Sequence, residues 1–129
     1  MSDYRTGLHP TLLIKLDQVL AAMTALGHPM QPCSGPRTAQ QQHDIWIEHP
    51  ERTRCDGYVK KSDHQIQADG YGHAVDCCFS TGEAFGESQP WGTFGVCAET
   101  VGLIWGGRFT TIRGGDRPHV ALPAQAIHP

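Results

Sequence analysis

The feature that most limits what this chain can fold into is an aspartate inside an apolar run. Residues 74–79 read Ala-Val-Asp-Cys-Cys-Phe, which has the length and apolar content of a strand entering a core. Asp76, in the middle, is therefore headed for burial. Burying a carboxylate costs on the order of several kcal/mol unless a cation compensates. A workable fold has to bring Asp76 a salt bridge to Arg37 or Arg108, an exposed edge position, or a metal ion. The residues just upstream, "KSDHQIQADGYGH" (61–73), add His64, Asp69 and His73 among glycines, a composition suited to metal ligation.

The remaining pattern predicts an α+β fold: one small domain over residues 1–129, with a short antiparallel sheet packed against about three helices. Leu12, Leu16, Val19, Leu20 and Met23 recur at helical spacing within 11–26, with Pro10 at the start and Gly27 at the stop. Residues 28–34 are broken by Pro29 and Pro32, so a strand there belongs at a sheet edge. A second helix is expected from Pro36 to Pro50. Residues 50–72 are charged, contain glycine and lack apolar periodicity, which makes a long loop of the kind that tends to carry function. The strand at 73–79 follows, then a loop over 80–92. A third helix is expected over 93–105, with Phe94, Cys97, Val101 and Ile104 on one side and Gly106-Gly107 ending it. "RFTTI" (108–112) reads as a strand, Gly114-Gly115 as a turn, and "RPHVAL" (117–122) as a closing strand.

Composition removes several function classes. With 129 residues, 39% hydrophobic and 18% charged, the chain suits a single core. No run of about 18 apolar residues is present, so no membrane insertion is expected. The start, Met-Ser-Asp-Tyr-Arg, has no secretory signal pattern. A formal net charge of −3 and scattered arginines argue against nucleic acid. The five cysteines, at 33, 55, 77, 78 and 97, contain no C-x-x-C pair, so a four-cysteine zinc site is not expected. They read as free, mostly buried thiols of a cytoplasmically made protein.

A catalytic metal needs three protein ligands and a base beside an open position. Beyond the 61–76 stretch, the closing strand offers His119, with Asp116 three residues before it. Pro118 holds Arg117 extended and so sets the approach to His119.

Taken in order, "SGPRT…Q", "S-x-H…HAVD", "WGG" and "D-x-PH" resemble the zinc peptidases that cut peptidoglycan stem peptides. These are the D-Ala-D-Ala carboxypeptidases and the L-alanyl-D-glutamate endopeptidases, and the likeness is greatest to the short phage endolysins among them. The motifs span residues 34–120, and the "LHPTL" helix start extends the resemblance over nearly the whole chain. The resemblance implies a hedgehog/DD-peptidase-like arrangement. It implies that His64, Asp76 and His119 bind zinc, that Asp116 is the general base, and that Arg37 steadies the substrate carbonyl or the tetrahedral intermediate. It places Ser62, Gln42 and Trp105 in supporting or substrate-binding positions.

Two departures stand out. The separation 76 − 64 = 12 is longer than in the compact family form, which leaves His73 as a competing partner for Asp76. Proline also occupies the position before Arg37 where the family has an aromatic. The implied activity is hydrolysis of stem peptides, with the L-Ala–D-Glu bond first and D-Ala-D-Ala carboxypeptidase action or a catalytically silent peptidoglycan-binding module as alternatives. The expected setting is the cell wall, reached by a monomer after release from the cytoplasm. The acidic loop leaves room for a second ion.

Overall fold

The computed structural model describes residues 4–51, 53, 55–60, 62, 64–110 and 115–123. The first helix, α1, is Pro10–Ala25. The His9 ring caps it by accepting the Thr11 N–H at 3.1 Å, and Pro10 occupies the first turn, where its missing N–H is no loss. Leu12, Leu16, Val19, Leu20 and Met23 form its buried stripe. Gly27, at φ +86, ends it by letting the His28 N–H turn back to Met23 O at 2.9 Å.

Four strands follow: β1 (Met30–Ser34), β2 (Ala74–Phe79), β3 (Ile104–Trp105) and β4 (His119–Ala121). They form one sheet in the order β1-β2-β4-β3, and every neighbouring pair is antiparallel. β1 lies at the edge, where Pro32 is tolerated. Helix α2 is Ala39–Glu48 and α3 is Trp91–Thr100. α1 and α3 pack on each other, and their apolar residues join Val75, Cys77, Phe79 and Val120 in the core.

Strand alternation then fixes the site. Val75, Cys77 and Phe79 point into the core, so Asp76 points to the opposite face. Val120 also points into the core, which turns His119 to the same face as Asp76, and the two are direct cross-strand partners. β1 is irregular between Pro32 and Ser34. There the Ser34 hydroxyl accepts the Asp76 N–H at 3.1 Å, and the Cys33 thiol donates to Asp76 O at 3.4 Å. The irregularity thus holds the backbone of the one charged residue in β2.

Several elements depart from the sequence expectation. Helix α2 begins at Ala39 rather than Pro36. Arg37 is engaged elsewhere, its N–H on His64 O at 2.8 Å and its carbonyl accepting from Ile66 N–H at 3.0 Å. A capping box of Thr38 and Gln41 then starts the helix. The third helix starts earlier, at Trp91, and stops at Thr100, because Gly102 takes φ +86 and Leu103 N–H returns to Ala98 O. Ile104, expected on its apolar side, is an exposed residue of β3. In the "RFTTI" segment, Arg108 closes a 3-10 turn, Gly106–Arg108, and Phe109 and Thr110 are not in a strand. Thr111, Ile112 and Gly114 lie outside the described residues. The closing strand is only His119–Ala121. The loop over 50–72 has, among the described residues, no helix or named strand, though Gln65 bridges Arg37 and Ile66 bridges Gly72.

All five cysteines are free. Cys77 and Cys78 are buried, while Cys33, Cys55 and Cys97 are half-buried. Burial pushes the Cys33 and Cys77 thiols up, which keeps them neutral and inert. No described helix is long and apolar enough to cross a membrane.

Candidate metal centre

The open face of β2 and β4 brings three of the expected residues together: His64, Asp76 and His119. His64 Nε2 lies 2.9 Å from His119 Nδ1 and 3.3 Å from Asp76 Oδ1, and His119 Nδ1 lies 3.6 Å from that same oxygen. Three ligands set tetrahedrally around one zinc ion, at the usual zinc–nitrogen and zinc–oxygen lengths, stand about 3.3 Å from one another. The triangle has that size. Both imidazoles are buried, and Asp76 Oδ1 is closed from solvent without a hydrogen-bond partner. An acceptor-only oxygen left unpaired between two ring nitrogens is what a cation would satisfy. On donor chemistry and spacing, the three residues fit a zinc ion.

The electrostatics agree. Burial alone would push the Asp76 carboxyl up, but His64 and His119 beside it outweigh that and hold it well below the usual carboxylate range. Burial lowers His64. An ionised carboxylate beside an imidazole whose charged form burial disfavours suits metal binding, which needs deprotonated ligands.

Each ligand is held by its own local structure. Asp76 and His119 sit on adjacent strands. His64 comes from the loop, where the Ser62 hydroxyl accepts its N–H at 3.2 Å. Ser62 N–H is in turn held by Gln65 Oε1 at 2.9 Å. Gln65 is itself buried, and its amide donates to Gly57 O at 3.0 Å. No sequence signal singled out Gln65, because its partners lie across a loop. Ser62 thus supports the turn that presents His64.

Arg37 borders the triangle on one side. Its Nη2 is 3.9 Å from Asp76 Oδ2, and its Nη1 donates to Gln42 Oε1 at 2.9 Å. Gln42 is wholly buried, with its amide N–H groups on Thr53 Oγ1 and Cys55 O. It therefore aims the guanidinium. The alternative salt bridge from Arg108 to Asp76 does not form, since Arg108 pairs with Glu99 at 2.7 Å.

Asp116 borders the triangle on the His119 side, with Oδ2 3.9 Å from His119 Nδ1. Burial, then the charge of Asp76, raises its carboxyl above the ordinary aspartate value. The "WGG" segment holds this turn. Asp116 N–H donates to Gly106 O at 2.7 Å and Trp105 Nε1 donates to Arg117 O at 2.8 Å. The indole is flanked by Gly95 and Gly107, where a Cβ would collide with it. Phe109 adds a ring against His119, with centroids 5.3 Å apart, a contact that the strand expectation for 108–112 could not reveal.

His73, the competing ligand, is outside the triangle. It lies on the core-side parity of β2, and its Nε2 pairs with Asp69 Oδ2 at 2.7 Å. Asp69 is exposed but engaged, also accepting the Tyr71 N–H at 3.0 Å. Asp63 lies outside the described residues.

Neither a scan against protein-family models nor a search of curated proteins gives a significant match. Solved structures do share this fold. The Serratia marcescens L-Ala D-Glu endopeptidase ChiX superposes with a TM-score of 0.69 at 20% identity, over 95% of this chain and 86% of that one. The LD-carboxypeptidase LdcB gives 0.66 at 22% identity, over 97% and 72%. The vancomycin-resistance D,D-pentapeptidase VanY, solved in complex with Zn(II), gives 0.65 at 20% identity, over 94% and 76%. VanYB has also been solved in complex with D-alanine-D-alanine, with a TM-score of 0.63 at 19% identity, over 92% and 74%. The α+β fold expected from the motifs is therefore the one this chain has.

Proposed function

We propose that this chain is a zinc peptidase that hydrolyses peptidoglycan stem peptides, with the L-Ala–D-Glu bond as its target and phage-driven host lysis as its setting. The observation that carries this reading is the His64–Asp76–His119 triangle, with a positive group at Arg37 and a carboxylate at Asp116 on its borders. Zinc bound there would supply Lewis-acid polarisation of the scissile carbonyl and an acidified water.

The chain's own residues do the rest. Asp116 takes the proton released as water attacks and passes it to the leaving amine. Its raised carboxyl makes it a better acceptor than a surface aspartate. Arg37, held rigid by Gln42, donates to the oxygen on which negative charge develops. Asp76 stays ionised, and burial disfavours the charged form of His64. The setting at the cell wall, action as a monomer and the phage origin rest on the motif resemblance.

D-Ala-D-Ala carboxypeptidase action is the second reading, favoured by the D-alanine-D-alanine complex of VanYB. Mass spectrometry of digested stem peptides separates the two. Scission between L-Ala and D-Glu supports the first, and release of terminal D-alanine supports the second. If neither product forms with zinc-loaded protein, the peptidase reading fails. Asp116→Asn is expected to lower kcat by about 10²–10⁴-fold while leaving zinc content unchanged. Full activity in that variant would remove Asp116 as the base.

A further inference from the structure

Three rings stand together on the outer side of α2 and the turn beside it. The His43 and Trp46 centroids are 5.7 Å apart, and those of His43 and Tyr58 are 5.2 Å apart. Tyr58 is 54% exposed and Trp46 38%. The rings are held in place although they face solvent. His43 Nδ1 is bonded to Asp56 O at 2.9 Å. The Tyr58 hydroxyl donates to Gln40 Oε1 at 2.8 Å. The turn under Tyr58 is tied by the Asp56 carboxylate, which accepts the N–H groups of Tyr58, Val59 and Lys60 at 3.0, 2.9 and 2.9 Å. Gly57 lets this turn lie on the helix, since a Cβ there would collide with Ala39 O. Fixed, exposed aromatic faces lose little entropy on binding a ligand.

The cluster adjoins, along the chain and through one hydrogen bond, the residues that support the metal centre. His43 follows Gln42, which holds Arg37, and Gly57 O accepts from Gln65, the residue after His64. In peptidoglycan, L-Ala is the one residue between the L-Ala–D-Glu bond and the lactyl-bearing sugar, a span of about 3.5 Å of extended chain. A substrate seated for that cut carries its sugar close beside the reacting carbonyl. A pyranose presents a face of C–H groups that packs on the electron-rich face of an aromatic ring.

We propose that the His43–Trp46–Tyr58 cluster is a sugar subsite that seats the glycan next to the scissile peptide, an assignment that rests on stem peptide as the substrate. The test compares the disaccharide-linked stem peptide with the same peptide lacking sugar, using full-length zinc-loaded protein. The wild type should show a KM roughly threefold to tenfold lower for the sugar-linked substrate. Trp46→Ala and Tyr58→Ala should abolish that advantage, with kcat and all parameters for the bare peptide unchanged. No preference in the wild type, or equal losses on both substrates, overturns the subsite. Side-chain NMR shifts on adding peptide-free glycan provide a readout independent of hydrolysis. Shifts centred on His43, Trp46 and Tyr58 support the subsite even if no peptide is cut, in which case only the peptidase reading falls. Absence of shifts there, or shifts produced by bare peptide alone, overturns it.

Discussion

Asp76 and its two histidines show how far single residues could be read in advance. An aspartate inside Ala-Val-Asp-Cys-Cys-Phe has to find an ion-pair partner, a metal or an exposed edge position, and that much follows from the cost of burial alone. Which histidine serves it depends on geometry that spacing does not contain. His64 reaches the site because the Arg37 and Ile66 backbone bonds draw the loop against the start of α2. His73, nearer in sequence, is spent on Asp69. His64→Ala should therefore empty the metal site, taking zinc from about one per chain to none. His73→Ala should retain zinc and affect chiefly the 69–73 turn. Atomic emission analysis of the two purified variants checks this, and zinc loss in the His73 variant alone would reverse the assignment. Gln42 illustrates the opposite limit. The resemblance gives Gln42 a supporting place, but spacing offers no hint that a helix glutamine will be wholly buried with its amide satisfied by Arg37, Thr53 and Cys55.

At the scale of elements, α1 was legible because its apolar stripe, its proline start and its glycine stop all agree. α3 was not fully legible, because Val101 and Ile104 continue the helical spacing past the point where Gly102 ends the helix. The short β3 that replaces the last turn has meaning only through its pairing with β4. That pairing sets the "WGG" segment against the Asp116–His119 turn. Gly106 is packed so closely that an added Cβ would sit 2.7 Å from the His119 Cβ and collide with Asp116 O. Gly106→Ala is therefore expected to destabilise the fold by roughly 1–3 kcal/mol through overpacking. Because the displaced groups are Asp116 and His119, activity should fall more than stability does. Thermal unfolding and kcat/KM measured together on this variant check both parts. An unchanged melting temperature would show that the turn has room to give.

For the whole molecule, the centre joins segments far apart in sequence: the 64–66 loop, β2 and β4. A metal that binds only when all three are in place stabilises the folded state by mass action, by about 4 kcal/mol when free ion exceeds Kd a thousandfold. In a chain of this size each kcal/mol moves Tm by a few degrees, so removing zinc with a chelator should lower Tm by roughly 10 °C. Re-addition of zinc should restore it. Calorimetry with and without chelator gives the answer, and identical melting curves would mean that no ion is held. By itself, the sequence determined the α+β class, the first helix and the strand that carries Asp76, because these follow from local periodicity, and it narrowed Asp76 to an ion pair, an edge position or a metal, because burying charge is costly. The motif order already favours His64 over His73; only the tertiary structure showed what draws His64 to the triangle and His73 to Asp69, that Gln42 holds Arg37, and that residues 104–105 form a strand. The physical reason is common to all three. Each depends on a partner that another segment brings into contact, and a linear spacing carries no information about which distant groups will meet.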